Sequence, residues 1–262
     1  MYAEAKSAEF SGRRSATYRD ALSTYANAWR SDIACMERFL DPRPGERILE
    51  IGAGNGYFSR AIADRIGKTG LLVATDPSTE QLSALGLEEE FTNLHIVQAA
   101  AETLDIPYRE FDAVWSRGAV HHVADKTSAF TRFAQIVRPG GRLVIADIFA
   151  GTRLATYFDG FIARSCCTGH EVAFLSREFA ESLCDLTGWR SPRFHDVITP
   201  WEFSEREQIG QFLHLLFSAK DAYSPQDCLD AADRYLSVTP TAAGWALMWP
   251  MTVMVADRAN HA

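Results

Sequence analysis

The chain has 262 residues, 47% hydrophobic and 23% charged, the makeup of an ordinary folded protein with room for a large α/β domain and a core that needs no staples. Its 26 basic and 34 acidic residues leave a net charge of −8, which repels a polyanion and argues against nucleic acid as a partner. The five cysteines are odd in number and form no CxxC, so reduced thiols are expected rather than a disulfide framework or a zinc site; no stretch reads as a signal peptide or a membrane span, which predicts a cytoplasmic protein.

Along the chain, the first periodic segment is 17–40. Tyr18, Leu22, Tyr25, Trp29, Ile33, Met36 and Leu40 recur there at helical spacing and predict one or two amphipathic helices. Tyr18, Tyr25 and Trp29 read first as core, with a second use as an aromatic lid over a bound cation. Asp41-Pro42-Arg43-Pro44-Gly45 ends the helical part. Short apolar runs follow at 47–51, 71–75, 94–97, 111–115 and 142–146, separated by helical patterns or shorter connections. Strands that alternate with helices in this way are parallel, joined by right-handed crossovers and covered on both faces.

After the fifth run, helical patterns recur at about 153–165 and 176–187, and strand-like segments at 193–198 and 251–256 close the chain. A helical insert, roughly 204–236, separates those last two strands. The expected fold is a doubly wound, mainly parallel, seven-stranded α/β sheet. It reads as one domain, with an N-terminal helical lid at 1–43, a core at 44–200, and the insert with the last strand at 201–262.

The most informative stretch is Ile48-Leu49-Glu50-Ile51-Gly52-Ala53-Gly54-Asn55-Gly56-Tyr57-Phe58, a buried strand entering a glycine turn and then a helix. Such glycines allow a sharp bend and a close approach of ligand to main chain. Tyr57 stands where a dinucleotide fingerprint places its third glycine, so nicotinamide and flavin cofactors fit poorly. The second strand ends in Asp76 followed by Pro77, a carboxylate that can accept both hydroxyls of a ribose or cap the next helix.

With these residues in place, the chain resembles the class I S-adenosylmethionine-dependent methyltransferases, in particular their ubiquinone/menaquinone-type small-molecule branch. The resemblance runs from about Pro44 to Trp189, through ILEIGAGNG, VATDPS, QAAAETL, FDAVWSRGAVHHV and Val137-Arg138-Pro139-Gly140-Gly141-Arg142-Leu143, in that order. It implies S-adenosylmethionine as cofactor. Glu50 is then expected near the methionine amino group, and Gly52, Gly54 and Gly56 at the turn on which the cofactor lies. Asp76, with Pro77 beside it, takes the ribose hydroxyls; Ala101 and Glu102 flank the adenine; Ser116 and Arg117 line the methionine part. His121 is the candidate base or acceptor-positioning group, and His122 reads better as a loop hydrogen-bonder. His170, in Ser165-Cys166-Cys167-Thr168-Gly169-His170-Glu171, is a second catalytic candidate, with Cys166 and Cys167 themselves read as packing residues.

A sulfonium is already an activated donor, so the protein's expected contribution is alignment and exclusion of water. The chain lacks the Asn/Asp-Pro-Pro-Tyr pattern of amino-nucleobase methyltransferases and carries Trp115-Ser116-Arg117-Gly118 instead. A small-molecule acceptor is therefore expected, methylated at oxygen, nitrogen or carbon. Two other readings stay open: cyclisation of S-adenosylmethionine itself with release of methylthioadenosine, and a non-catalytic S-adenosylmethionine-binding partner protein. Phe212, Leu213, Leu215, Leu216 and Phe217 in the insert can cover a pocket or support a homodimer.

Overall fold

In the computed structural model, residues 10–83, 91–169 and 172–259 are described. Two helices, α1 (Gly12–Thr24) and α2 (Arg30–Phe39), precede the alternating part: β1 (Arg47–Ile51), α3 (Tyr57–Ile66), β2 (Leu71–Asp76), the single turn α4 (Thr79–Leu82), β3 (Leu94–Gln98), β4 (Phe111–Arg117), α5 (Lys126–Ile136) and β5 (Val137–Asp147). Next, α6 (Arg153–Tyr157) runs through a π-helical turn, Phe158–Ile162, into Ala163–Ser165. Then come α7 (Arg177–Thr187), β6 (Trp189–Phe203), α8 (Arg206–Leu216), α9 (Pro225–Tyr235), β7 (Val238–Thr241) and β8 (Gly244–Arg258).

The sheet order is β3-β2-β1-β4-β5-β8-β6, with β7 paired to β8 beside that path. Strands β1 to β5 are mutually parallel, and β8 runs antiparallel to both β5 and β6. The first five strands begin or end within a few residues of the apolar runs because both faces are buried. On β1, β2 and β5, Ile48, Leu72 and Val144 join one cluster while Leu49, Val73 and Leu143 join the other, as the two-residue period of a strand requires. One face is covered by Met36, Ile62, Leu154, Phe212 and Leu229 from α2, α3, α6, α8 and α9; the other by Phe130 and Leu183 from α5 and α7.

The last strands differ most from expectation. β6 and β8 each span 15 residues, with register from Trp189↔Arg258 to Phe203↔Trp245. β6 ends the sheet, so its outer side chains meet water and no apolar run betrays its length. The sheet has eight strands rather than seven: the four-residue β7 pairs with the free half of β8, and its Pro240 suits an edge position. Helix starts follow local chemistry. Asp125 accepts the Ser128 amide at α5, Ser176 accepts that of Phe179 at α7, and capping boxes open α8 (Glu205/Gln208) and α9 (Ser224/Asp227). No helix among the described residues is long and apolar enough to cross a membrane.

Candidate active site

The strand ends of β1, β2, β4 and β5 open on a cavity of about 420 Å³, where an open α/β sheet places its ligands. Past Ile51 the chain turns against β2. The amides of Gly52 and Ala53 donate to the Thr75 carbonyl at 2.8 and 2.9 Å, and that of Gly54 to Asp76 Oδ2 at 3.0 Å. Gly52 and Gly54 adopt φ of +70° and +56°, which side chains rarely tolerate. A Cβ on Gly52 would stand 2.3 Å from that of Ala119, whereas one on Gly54 would meet no protein atom within 4 Å. Packing demands the first glycine; the second leaves its main chain open to a ligand.

Asp76 Oδ1 accepts the Ser78 amide at 2.9 Å. Burial lifts this carboxyl above its ordinary value, opposed by the amides of Ser78 and Gly54. Two amides thus fix the group while it faces the cavity, with lone pairs left for vicinal hydroxyls. Pro77, Ala101 and Glu102 line the same end, and Glu102 Oε1 accepts the Ala124 amide at 2.9 Å.

Three of the expected cofactor residues stand behind the wall instead of in it. Glu50 is 2% exposed, and its carboxyl faces α3, where the Ser59 hydroxyl donates to it at 2.5 Å; strand alternation gives Ile51, not Glu50, to the cavity. Ser116 is buried and donates to the Ile51 carbonyl at 3.1 Å. Gly56 serves as the N-cap of α3. All three brace the turn. Burial pushes the Glu50 carboxyl up to about 8, against the Ser59 hydrogen bond and with help from Asp76. The folded state therefore keeps a proton that the unfolded chain has lost, so this contribution to stability is complete below the unfolded value near 4.5 and disappears as pH rises through about 8. Over that window the wild type is expected to lose on the order of a few kcal/mol, and Glu50→Gln to show a flatter profile, measured by denaturant unfolding at pH 5 to 9.

At the next strand end, His121 Nδ1 lies 2.5 Å from Asp147 Oδ1, and the His121 amide donates to Asp147 Oδ2 at 3.1 Å. Asp147 closes β5, is 1% exposed, and also accepts the Ile148 amide at 2.7 Å. Burial works to raise its carboxyl, but the charge and hydrogen bond of His121 and the two amides overcome this and hold it below the ordinary range. An ionised carboxylate only accepts, so Nδ1 is the nitrogen that donates to it. His121 lines the cavity with His122, their ring centroids 4.2 Å apart. His170 lies outside the described residues.

The remaining walls come from distant parts of the chain. Tyr18 and Trp29 line the cavity with Tyr57, Phe58, Phe158, Trp201, Phe217 and Trp249, and Trp201 stacks on Trp249 at 4.0 Å. Tyr25 departs from the lid reading: it packs on Phe203 and Phe212 and donates to Gln211 at 2.8 Å. Arg117 lines the cavity, held at 3.0 and 2.6 Å by Asp32 Oδ1, whose other oxygen accepts Trp201 Nε1 at 2.8 Å. Its guanidinium sits 4.5 Å above the Trp29 ring. α1 roofs the site: Phe10 accepts from Ser78, the Gly12 amide donates to Glu80, and Arg13 reaches Asp221.

Sequence reasoning passed over Phe158, Trp201 and Trp249, and also Asp147, Asp32, Arg14 and Gln81. Asp147 carried the same signal as Asp76, an acid at a strand end. Asp32, Arg14 and Gln81 gave none. Both amide atoms of buried Gln81 lack a hydrogen-bond partner among the described residues, and the residue lines the cavity, which marks it for a ligand contact.

Taken together, the glycine turn, the acid at the end of β2 and the roofed cavity define an α/β domain built for a nucleoside-bearing cofactor. Residues 49–145 match the family described as "Methyltransferase domain". Over 119 residues the chain is 29% identical to the uncharacterized methyltransferase YcgJ of Bacillus subtilis, covering 45% of this chain and 47% of that protein. It is 31% identical over 109 residues to the ubiquinone/menaquinone biosynthesis C-methyltransferase UbiE of Vibrio cholerae, covering 40% and 42%. To the 27-O-demethylrifamycin SV methyltransferase of Amycolatopsis mediterranei it is 30% identical over 112 residues, covering 41% and 40%. The matches thus span less than half the length of these relatives. The YcgJ crystal structure shares the fold, with a TM-score of 0.60 at 18% identity over 89% of this chain and 99% of that one. Over residues 49–145 the chain thus resembles a methyltransferase domain, and its relatives there include the ubiquinone/menaquinone type.

Proposed function

We propose that the protein transfers the methyl group of S-adenosylmethionine to a small-molecule acceptor. The observation that carries this reading is a cavity of about 420 Å³ that joins the Gly54–Asp76 corner to the His121–Asp147 pair. The roof from α1 and the insert favours a small acceptor and the exclusion of water.

The residues fit the cofactor: Gly54 offers bare main chain, Asp76 an acceptor pair for the ribose, and Ala101 and Glu102 flank the base. When bound, S-adenosylmethionine supplies a methyl group already activated on a sulfonium. Trp29, Tyr18 and Tyr57 present aromatic rings to that charge, and Asp32 neutralises Arg117, which would otherwise repel it. His121 would take the acceptor's proton at Nε2, and Asp147 would offset the charge that the imidazole gains. His121 and Asp147 act as a pair on this reading, and an acceptor with a protonated oxygen or nitrogen needs them most.

Asp76→Ala tests the cofactor half. Charge-assisted hydrogen bonds of this kind contribute about 1.5–3 kcal/mol, so S-adenosylmethionine affinity is expected to fall roughly ten- to a hundredfold by calorimetry. Unchanged affinity would remove Asp76 from the site. Mass spectrometry of the nucleoside formed with cell extract tests the reaction: S-adenosylhomocysteine supports methyl transfer, and methylthioadenosine made without an acceptor supports cyclisation.

A further inference from the structure

Arg14, on α1, lines the cavity and is 3% exposed. Its hydrogen bonds go to a cysteine sulfur and a main-chain carbonyl: Nη1 donates to Cys166 Sγ and, at 3.3 Å, to the Phe217 carbonyl. Nε is buried and has no hydrogen-bond partner among the described residues, and no carboxylate among them pairs with the guanidinium. The Phe10 ring lies 4.6 Å from its centre. Arg117 shows the contrast, since its charge is answered by Asp32 at 2.6 Å. A buried cation without a counter-charge is costly unless something else supplies one, and the open side of Arg14 is the cavity itself.

The position of Arg14 indicates which molecule brings that charge. Its two partners, Cys166 and Phe217, belong to the segments after β5 and after α8. From Phe217 the wall continues to Phe158, ring centroids 5.4 Å apart, and from Phe158 to His121 at 6.1 Å. Arg14 and His121 therefore stand at two ends of a short aromatic wall. We propose that Arg14 binds the oxyanion, a carboxylate or like group, of a small and otherwise apolar acceptor, whose nucleophile then faces His121. This proposal rests on the methyl-transfer reading and adds to it the chemical class of the acceptor. Arg geometry suits such a group, because the guanidinium fork matches two oxygens at once. An acidic acceptor also cancels the charge that Arg14 would otherwise hold near a sulfonium.

The test uses the full-length protein saturated with S-adenosylhomocysteine, titrated calorimetrically with benzoate and 4-hydroxybenzoate and with the corresponding neutral amides. The wild type is expected to prefer each acid over its amide by about ten- to a hundredfold. Arg14→Gln should abolish the preference, and Arg14→Lys, which keeps the charge and loses the fork, should retain part of it. Melting temperature and S-adenosylmethionine affinity establish that each variant is folded. A second arm compares S-adenosylmethionine with its decarboxylated analogue. If the wild type prefers the carboxylated cofactor, Arg14→Gln erases that preference and no acid is favoured over its amide, the oxyanion belongs to the cofactor and the acceptor assignment is overturned. No preference in either arm overturns the anion site altogether. Failure of the wild type to bind S-adenosylmethionine or S-adenosylhomocysteine would instead strike the methyltransferase reading, and acid binding can still be measured on the protein alone.

Discussion

His121→Ala is expected to lower turnover about 10²–10⁴-fold while leaving S-adenosylmethionine affinity near the wild-type value, because proton removal acts in the transition state and not in cofactor binding. Asp147→Asn provides the companion result. An amide can still accept some of the hydrogen bonds from the backbone N–H groups of His121 and Ile148, but its NH₂ group can donate to Nδ1 and so select the wrong tautomer. Turnover should fall in Asp147→Asn too, with the ring in place. The two effects should be far from additive in the double variant, since the residues act as one unit. A stable His121→Ala protein with near-wild-type turnover would leave alignment and desolvation as the whole of catalysis.

Asp32→Ala should produce the largest loss of stability. Asp32 is 2% exposed and accepts from both Arg117 and Trp201, so its removal leaves the partly buried guanidinium without its ion pair. Breaking such a pair from one side costs about 3–5 kcal/mol, to be read from denaturant unfolding. The same change should weaken S-adenosylmethionine binding, because the uncompensated Arg117 then faces a cationic ligand. Asp32→Asn, whose single amide oxygen replaces the acceptor for Trp201 or for Arg117 but not for both, and which lacks the charge, should lose less stability than Asp32→Ala and still show the affinity defect. Full cofactor affinity in that variant would show that the Arg117 charge does not reach the ligand.

The two residue pairs illustrate how far a linear reading goes. His121 was legible because it follows a buried strand at the ligand-binding end of an α/β sheet. Its partner Asp147 lies 26 residues on, and the two meet only because β4 and β5 are neighbours in the sheet. Arg117 was legible by its place after Trp115-Ser116, but the acid that neutralises it comes from α2, 85 residues earlier. Glu50 and Ser116 were assigned to the ligand because they lie in the right motif; the strand period turns Glu50 away from the cavity and gives it Ile51, and Ser116, in register with Ile51, is buried with its hydroxyl on the Ile51 carbonyl.

The sequence alone determined the alternating strands, the glycine turn and the acid that closes β2, since these rest on local causes: apolar runs covered on both faces, backbone angles that only glycine tolerates easily, and fixed spacing within one β–α–β step. The tertiary structure alone decided the length of the β6–β8 pair, the eighth strand, and the joining of α1, α2 and the insert over the strand ends. It also decided that Arg14 and Gln81 are buried facing a cavity. Whether a polar group is buried without a partner depends on every element packed around it, and those elements come from opposite ends of the chain, so no window of neighbouring residues contains the information.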